Sequence, residues 1–251
     1  MAKAQRAMTR KRDAAGGAAA ALERQSDQAF DKLYEAITRC ELAPDSIVSE
    51  PQLEQDFKFS RVALRMAIDR LVQKQLMQPL HRRGYRIAPI TLRDIKDTFG
   101  LRLLVEPPTA RAAAGVVDIS RLNRINEKCL VSVQPGDRDA EAALTRANRE
   151  FHLVIAEASG NRRLCSLLEQ LIRDVDRVYH FGLVHDVRFA EMQSDHVDLI
   201  AALARGDGAR AEEMSRAHIE RGYHIAMDAI LNRSGLADVN IGRFAREPVT
   251  G

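Results

Sequence analysis

Apolar residues at helical spacing, interrupted by capping and turn residues, predict three helices and a hairpin in the first ninety positions. Phe30, Leu33 and Ile37 mark the inner face of the first helix. Ser49 and Ser60 are favourable N-caps, so each is expected to open a further short helix. The predicted helices span about 27–40, 50–57 and 61–74, and two extended segments follow at about 77–80 and 84–88.

From about residue 91 to 232 the pattern predicts helices alone. Their expected spans are 92–114, 118–132, 138–158, 161–180, 187–205 and 208–232. Pro107 and Pro108 fall inside the first of these and are expected to break or kink it. The predicted fold class is mainly α, with an N-terminal winged helix-turn-helix and a C-terminal antiparallel bundle of six or seven helices.

These patterns divide the chain into four segments. Residues 1–26 mix Ala, Gly, Lys and Arg and are interpreted as a flexible basic tail, either a solubilising leader or an arm that touches phosphates. Residues 27–90 are the predicted winged helix-turn-helix, residues 91–232 the helical domain, and residues 233–251 a loose C-terminal tail. No run of about 18 apolar residues and no secretory signal is present, so no association with a membrane is expected.

Composition and charge sharpen this picture. The 251 residues are 45% hydrophobic and 29% charged, as in an ordinary globular protein with a core. Net charge is +5 over residues 1–90, −2 over residues 91–251, and +7 within residues 58–86. Such a basic segment favours a polyanion-binding domain joined to a domain with another task. The scattered cysteines indicate reduced thiols in a cytoplasmic protein and are Cys40, Cys129 and Cys165.

A helix pair followed by a basic hairpin is typical of a winged helix-turn-helix, whose second helix enters the DNA major groove. Arg61 and Arg65 lie one turn apart near the start of that helix, away from its apolar stripe. A guanidinium fork can bond guanine O6 and N7 together. Ser60 can donate to a phosphate, and Arg82 and Arg83 at the hairpin tip can reach a minor groove or the backbone. Isolated surface arginines would indicate nothing, but here they occupy a complete pattern.

Residues 28–90 resemble the DNA-binding domain of GntR-type regulators. Residues 49–71 read SEPQLEQDFKFSRVALRMAIDRL, and the usual form is SE-x-x-L-A-x-x-F-G-V-S-R-x-P-V-R-x-A-L-x-x-L. The basic glycine wing of the family stands here as HRRGY at residues 81–85. The resemblance implies that the DNA contacts include Ser60, Arg61, Arg65, Arg83 and Gly84.

The chain departs from this family pattern at several turn and contact positions. Lys58 replaces the usual turn glycine. Gln75 replaces the glycine that follows the second helix of the motif, here called the reader helix because it is expected to read the DNA bases. Val62 and Ala63 replace a Thr-Pro pair, and Pro51 stands where some relatives carry a basic contact. These departures leave the predicted fold unchanged and leave the base preference open.

Three histidines and one asparagine are the candidate ligands in the helical half. Asn148 and His152 are four residues apart and share a helix face, while His196 and His218 lie on two further predicted helices. Three imidazoles and an amide oxygen from three helices could converge on a divalent ion. Taken singly, a histidine on a helix is more often an ordinary core or surface residue.

Residues 91–232 resemble the FCD-type effector domain of the GntR branch named after the fatty-acid regulator. The matching segments are FGLRLLVE at 99–106, ANREFH at 147–152, ASGN at 158–161, DHVDLIAAL at 195–203, RGD at 205–207 and AHI at 217–219. Many such domains hold a metal with one Asp and three His. Asn148 occupies the Asp position here, and His152, His196 and His218 match the other ligands. Arg102 matches an arginine that often faces the ligand cavity, although a packing salt bridge would equally explain it.

The asparagine leaves two outcomes open for the centre, because an amide is neutral and a poorer ligand than a carboxylate. Either a divalent metal is held more weakly, or the metal is lost and the histidines donate hydrogen bonds directly. An imidazole-rich set suits Zn or Ni better than Mg or Ca. Arginine and histidine both favour anions, so we expect a small organic acid as effector. Its expected binding residues are Arg102, Asn148, His152, His196 and His218.

These patterns predict a transcriptional regulator and not an enzyme. We expect a repressor of a metabolic operon, which binds pseudo-palindromic double-stranded DNA as a homodimer and responds to the organic acid. Whether that acid releases or promotes DNA binding stays open. One alternative is a metal-dependent helical enzyme, but the sequence lacks HExxH, a nucleophile elbow and a phosphate-cradling glycine loop. The other, a helical interaction module with an incidental basic patch, does not explain the intact reader helix and wing.

Overall fold

Side-chain caps decide where most helices begin in the computed structural model, which describes residues 2–134, 137–183 and 187–233. Each capping side chain accepts a hydrogen bond from a backbone N–H two or three residues further on, satisfying a donor that has no partner within the helix. The caps are Ser49, Ser60, Thr91, Asp118, Asp137 and Asn161. The chain divides into two compact units, one up to Ile90 and one from Thr91.

The N-terminal unit has the predicted winged helix-turn-helix architecture. Its elements are α1 (Ala2–Thr38), β1 (Ile47–Val48), α2 (Glu50–Phe57), α3 (Arg61–Gln73), β2 (Met77–Leu80) and β3 (Gly84–Ile87). β3 lies in the middle of an antiparallel sheet and pairs with both β1 and β2. The sequence did not predict β1, because two residues are too few to show the alternation of a strand.

The apolar stripe of α3 forms the centre of this unit. Leu64, Ile68 and Leu71 are fully buried and belong to one hydrophobic cluster with Leu33 and Ile37 of α1. Their spacing of four and three residues is the helical period read from the sequence. The reader helix therefore keeps its other faces for contacts outside the domain.

Helix α1 begins far earlier than predicted. The sequence analysis placed its start at about residue 27 and assigned residues 1–26 to a flexible tail, whereas the structure is helical from Ala2. The predicted start is wrong because it relied on apolar periodicity, which residues 2–25 lack. These residues are mostly Ala, Lys, Arg and Gln, which favour helix without any buried face.

Two residues that replace family glycines adopt the backbone conformation for which glycine is preferred. Lys58, at the end of α2, has a φ of 59°, and Gln75, after α3, also has a φ of 59°. A side chain in this left-handed region costs roughly 1 kcal/mol relative to glycine. The turns of the family fold are therefore kept here at a cost in stability.

The regular elements of the C-terminal unit are all helices within its described residues. Its elements are α4 (Leu92–Ala113), α5 (Ile119–Cys129), α6 (Arg138–Ala158), α7 (Arg162–Val178), the π-helix η1 (Tyr179–Leu183), α8 (Val187–Ala204) and α9 (Gly208–Arg233). The predicted C-terminal tail, residues 233–251, lies outside the described residues from position 234 onward. Among the described helices, none is both long and apolar enough to cross a bilayer.

The sequence predicted a break or a kink at the two prolines of α4, and the break is ruled out because the helix continues through both. Pro107 and Pro108 both lie inside the helix, where each lacks the N–H of an ordinary residue. Pro107 is buried, and the hydroxyl of Thr109 donates to the carbonyl of Val105 one turn earlier. Tertiary packing along α4 therefore outweighs the local cost of the prolines.

Candidate nucleic-acid interface and metal centre

The N-terminus of α3 carries the residues that the sequence assigned to base reading. The hydroxyl oxygen of Ser60 accepts a hydrogen bond from the Ala63 N–H at 3.4 Å and so caps the helix. Arg61 and Arg65 lie within the first two turns, and more than half of each side chain is exposed. Backbone donors at a helix N-terminus together with two exposed guanidinium groups suit contacts to phosphates and base edges.

Glu50, at the first position of α2, holds both arginines. Its carboxylate accepts hydrogen bonds from the Nε of Arg61 at 3.2 Å, from the Nε of Arg65 at 2.9 Å and from the hydroxyl of Tyr85 at 3.3 Å. Burial alone would raise the pKa of Glu50, but the hydrogen bonds from Arg65 and Arg61 hold that pKa below its usual range. The carboxylate therefore stays ionised and orients the two side chains.

Sequence reasoning missed Glu50, although it quoted the residue within the family motif. Eleven residues separate Glu50 from Arg61, so no helical spacing joins them. The available signal was the fold itself, because the two helices of a helix-turn-helix bring their N-terminal turns together. An acidic residue that opens the first helix is then a natural partner for arginines that open the second.

The wing presents its two arginines at an exposed turn. Arg82 and Arg83 are exposed in the tight turn between β2 and β3. Gly84 follows with a φ of +91°, and a Cβ at this position would lie 2.2 Å from the carbonyl oxygen of Val48. The glycine is required because β1 passes too close for any side chain. Its role in the wing is therefore to permit this packing.

Three helices bring the predicted histidines together in the C-terminal unit. His152 of α6, His196 of α8 and His218 of α9 are buried, and each offers a ring nitrogen within 4.8 Å of the others. Asn148 lies one turn before His152 and is also buried. Its Oδ1 has no hydrogen-bond partner among the described residues. The sequence spacing alone could not establish this convergence.

Two of the three imidazoles have an acceptor within hydrogen-bond distance of Nδ1. Glu106 Oε2 lies 2.9 Å from His152 Nδ1, and Asn126 Oδ1 lies 3.1 Å from His196 Nδ1. Asp195 Oδ2 lies 3.8 Å from His218 Nδ1, beyond hydrogen-bond distance. The Nε2 atoms of His152 and His196 are buried and have no partner in the described part of the chain. In a histidine metal centre, one ring nitrogen donates to an acceptor and the other, which has no protein partner, binds the metal. His152 and His196 both have this arrangement.

Burial favours the neutral form of the His152 and His196 imidazoles. Burial lowers the pKa of His152 to about 4, although Glu106 acts in the opposite direction. Burial and the two neighbouring imidazoles also hold the pKa of His196 well below its usual range. Neutral imidazole is the form that binds a metal. These residues therefore fit a divalent ion, with the three histidines as ligands and Asn148 as the candidate fourth.

Arg102 is buried beside this centre and forms an ion pair. Its Nε donates to Glu106 Oε1 at 2.5 Å, and its Nη2 is buried with no partner among the described residues. Burial would raise the pKa of Glu106, but Arg102 and His152 hold that pKa well below its usual range. The pair is therefore ionised and contributes no net charge. Both roles considered for Arg102 remain compatible with this arrangement, since one guanidinium nitrogen is still bare.

A second buried carboxyl group, which the sequence analysis missed, lies on α7. Asp176 is 1% exposed and accepts a hydrogen bond from Arg149, while its Oδ1 has no partner in the described residues. Burial raises its pKa to about 7, with Arg149 acting against that shift. Tyr179, at the start of the π-helix, is buried and hydrogen-bonded to Arg102. π-Helical turns are frequent at functional sites.

A small cavity borders the centre among the described residues. A cavity of about 10 Å³ is bounded by Glu106, His152, Thr109, Ser215 and neighbouring apolar side chains. This volume suffices for about one water molecule.

The fold and the two sites define a class of protein, a DNA-binding transcriptional regulator with a winged helix-turn-helix and a separate helical domain. The family model for bacterial regulatory proteins of the gntR family matches residues 25–87, and the FCD domain model matches residues 97–221. The chain therefore belongs to the GntR-type transcriptional regulators that carry an FCD domain, as its sequence predicted.

Several bacterial proteins are similar to most of this chain. The transcriptional repressor RspR of Escherichia coli is 23% identical over 78% of this chain and 86% of its own length. The repressor GlaR of the same species is 27% identical over 73% and 87%. Among solved structures, E. coli McbR/YncC has a TM-score of 0.68 at 18% identity and covers 82% of this chain and 98% of its own. A GntR regulator from Rhodococcus sp. RHA1 has a TM-score of 0.67 at 20% identity, covering 82% and 99%. These structures share the fold.

The family membership decides between the function classes considered above. The matching families and relatives are transcriptional regulators and not enzymes. The histidine centre therefore belongs to a regulatory domain, and the enzyme interpretation is excluded.

Proposed function

We propose that this protein is a repressor whose affinity for DNA is set by a small organic acid bound at a metal centre in the helical domain. Its proposed DNA-contacting residues are Arg61 and Arg65 on α3 and Arg82 and Arg83 on the wing. RspR and GlaR are transcriptional repressors, which supports repression and not activation for this protein. We expect a metabolic operon as its target.

The observation that carries the metal proposal is the set of bare, buried polar atoms. Asn148 Oδ1 and the Nε2 atoms of His152 and His196 are buried without partners in the described residues. Leaving such atoms unpaired costs about 1–3 kcal/mol each. A divalent ion satisfies all of them at once, and Zn or Ni suits a set rich in imidazole. The competing arrangement has no metal and uses the same histidines as donors to the effector.

Charge balance favours an anionic effector. An imidazole that binds a metal is neutral, as is the amide of Asn148, and the Arg102–Glu106 pair adds no net charge. A bound divalent ion would keep its +2 charge in a buried site, where uncompensated charge is costly. A carboxylate at an open coordination position offsets this charge, and the bare Nη2 of Arg102 is a second anchor. Metal and carboxylate should then tighten each other's binding by the same factor.

Helix α4 is the candidate route from effector to DNA. It carries Arg102 and Glu106, and four residues separate its start from the end of the wing strand β3. An effector that draws Arg102 away from Glu106 changes the packing of α4, a rearrangement of the kind that regulatory helices undergo. In a homodimer this change alters the spacing of the two reader helices.

An exposed apolar face of α4 supports the homodimer. Leu104 is 71% exposed and Leu101 is 45% exposed, three residues apart on one side of the helix. Leu167 of α7 is also exposed. A second copy that covers these side chains gives a two-fold protein, and such a protein matches a pseudo-palindromic operator. Sedimentation velocity measures the mass of the assembly.

The metal and effector are tested together on protein purified without a His tag. Elemental analysis is followed by titration with small carboxylates before and after chelation, with neutral sugars and amines as comparison ligands. We expect near-stoichiometric Zn or Ni and a carboxylate affinity that falls on chelation. Metal at trace level with unchanged carboxylate affinity would favour the metal-free arrangement. Binding of neutral or cationic ligands alone would contradict the effector class.

DNA binding is tested by band shift at several salt concentrations, with duplexes from the region flanking the protein's own gene. We expect sequence-specific binding whose affinity falls as salt rises. Exchange of Arg82 or Arg83 for Gln should make that salt dependence shallower, because these residues are proposed to contact phosphates. If none of these duplexes is bound with sequence specificity, the proposal is contradicted.

A further inference from the structure

Helix α1 contacts the N-terminal end of α3, which carries the proposed base-reading residues. Gln25 Oε1 accepts a hydrogen bond from the hydroxyl of Ser60 at 3.3 Å, and Ser60 is the cap of the reader helix. Further along α1, Ala29, Leu33 and Ile37 are fully buried in the domain core. The segment before Gln25 stays helical back to Ala2, so α1 extends beyond the core from a point that touches the reader helix.

The far part of this extension is strongly basic. Residues 2–12 contain no acidic residue, and their cationic side chains are Lys3, Arg6, Arg10, Lys11 and Arg12. At 1.5 Å per residue, Arg12 lies about 20 Å and Lys3 about 33 Å along the helix from Gln25. About 33 Å corresponds to roughly ten base pairs of B-DNA. The charged segment therefore has the reach to contact a duplex beyond the base pairs read by α3.

Duplex DNA explains this segment better than a membrane does. A helix that lies on a bilayer needs large apolar residues on one face. Between Ala2 and Ala21 the single large apolar residue is Met8, and the remainder are mainly Ala, Gly, Lys and Arg. Attraction to phosphates needs charge alone. The segment also belongs to the same helix as Gln25, which contacts Ser60, the N-cap residue of α3.

We propose that residues 2–12 form a second DNA contact, which binds the phosphate backbone flanking the half-site read by α3. This inference rests on the proposed DNA binding and extends it. The contact adds affinity and salt dependence without adding sequence preference, because phosphates are the same at every step. Each phosphate neutralised contributes about 0.9 to the slope of log affinity against log salt. Five cationic residues can therefore contribute up to about 4.5 to that slope for each arm that is engaged.

The test compares the full chain with a variant in which Lys3, Arg6, Arg10, Lys11 and Arg12 are all exchanged for Gln, a residue that keeps the helical propensity. A control with the same change in net charge carries Gln at exposed arginines of the other unit, namely Arg111, Arg124, Arg163, Arg205 and Arg210. Fluorescence anisotropy measures binding to operator duplexes of ~20 and ~40 base pairs across a salt series. Circular dichroism checks that the helix content is unchanged.

For the full chain and the control we expect tighter binding to the longer duplex and a steep salt dependence. The arm variant should lose the advantage of the longer duplex and show a shallower slope, with an unchanged preference for operator over scrambled sequence. An arm variant that matches the full chain on both duplexes would overturn this inference alone. A full chain that binds no duplex specifically would overturn the proposed function instead.

Discussion

Glu106 lies 2.9 Å from the Nδ1 of His152, so a residue of α4 orients a candidate metal ligand of α6. The same carboxylate is paired with Arg102, which makes it the link between the histidine centre and the proposed anion anchor. A change in either partner is therefore transmitted to the other through one buried carboxylate.

Exchange of Glu106 for Gln should weaken metal binding by about 10–100-fold, the usual effect of losing an acceptor behind a ligating histidine. Competition with a chromophoric chelator measures this affinity. The variant should also be less stable, because Arg102 is then buried without a counter-charge. Asn126→Ala is the companion variant, since it removes the acceptor of His196 and leaves the Arg102 pair intact. Unchanged metal affinity in both variants would contradict the assigned centre.

Exchange of Asn148 for Asp should tighten the metal and loosen its coupling to the effector. The added carboxylate supplies one negative charge to the centre, so less charge is left for an organic acid to offset. Metal affinity should rise at least about tenfold, a difference of 1.4 kcal/mol. The factor by which metal improves carboxylate binding should fall. Calorimetric titrations with and without metal give both quantities, and a variant with tighter metal and equal coupling would refute the charge argument.

Exchange of Arg65 for Ala should weaken operator binding by about 1–3 kcal/mol and relax the sequence preference. Glu50→Gln should act differently. It removes the charge that neutralises Arg61 and Arg65, so affinity for random duplex should rise while the ratio of specific to non-specific affinity falls. Glu41→Gln is the matched control, because Glu41 carries the same charge in the same unit and pairs with Arg39. Equal affinity ratios for Glu50→Gln and the control would contradict the role given to Glu50.

The left-handed backbone conformation of Lys58 allows its cost in stability to be measured. Lys58→Gly should raise the free energy of unfolding by roughly 1 kcal/mol, because glycine adopts a φ of 59° without strain. Gly84→Ala should lower it by several times more, since the new Cβ meets the Val48 carbonyl. Urea denaturation measures both. Gly100→Ala is the control, because nothing lies within 4 Å of its Cβ position and alanine should stabilise α4 slightly.

Asp176 should make stability depend on pH. Burial raises its pKa to about 7 in the folded protein, against about 3.9 in an unfolded chain. Between these values the folded state holds a proton that the unfolded state has lost, so stability falls as pH rises and then levels off above about 7. The full effect is at most ~4 kcal/mol.

The corresponding measurement compares urea denaturation of the wild type and Asp176→Asn at pH 5 and pH 8. The amide cannot titrate, so the variant should lose this part of the fall in stability. Asp198→Asn, at an exposed position of α8, is the control and should follow the wild type. A pH profile of Asp176→Asn that superimposes on the wild type would show that Asp176 is ionised throughout.

The sequence by itself determined the order and type of nearly all elements and the class of the protein. Ser49 and Ser60 marked two helix starts correctly, because a capping side chain acts on the backbone of its own turn. The stripe at Leu64, Ile68 and Leu71 identified the inner face of the reader helix for the same local reason, the helical period. Local signals therefore sufficed wherever the deciding interaction joins residues close in sequence.

Tertiary structure decided what depends on residues far apart in the chain. The pairing of β1 with β3, the partnership of Glu50 with Arg61 and the approach of Asn126 to His196 join positions 11 to 70 residues apart. No periodicity encodes such distances, because they arise from how whole helices pack. The same packing buries Asp176 and Arg102, and burial is what changes the charge chemistry of the C-terminal unit.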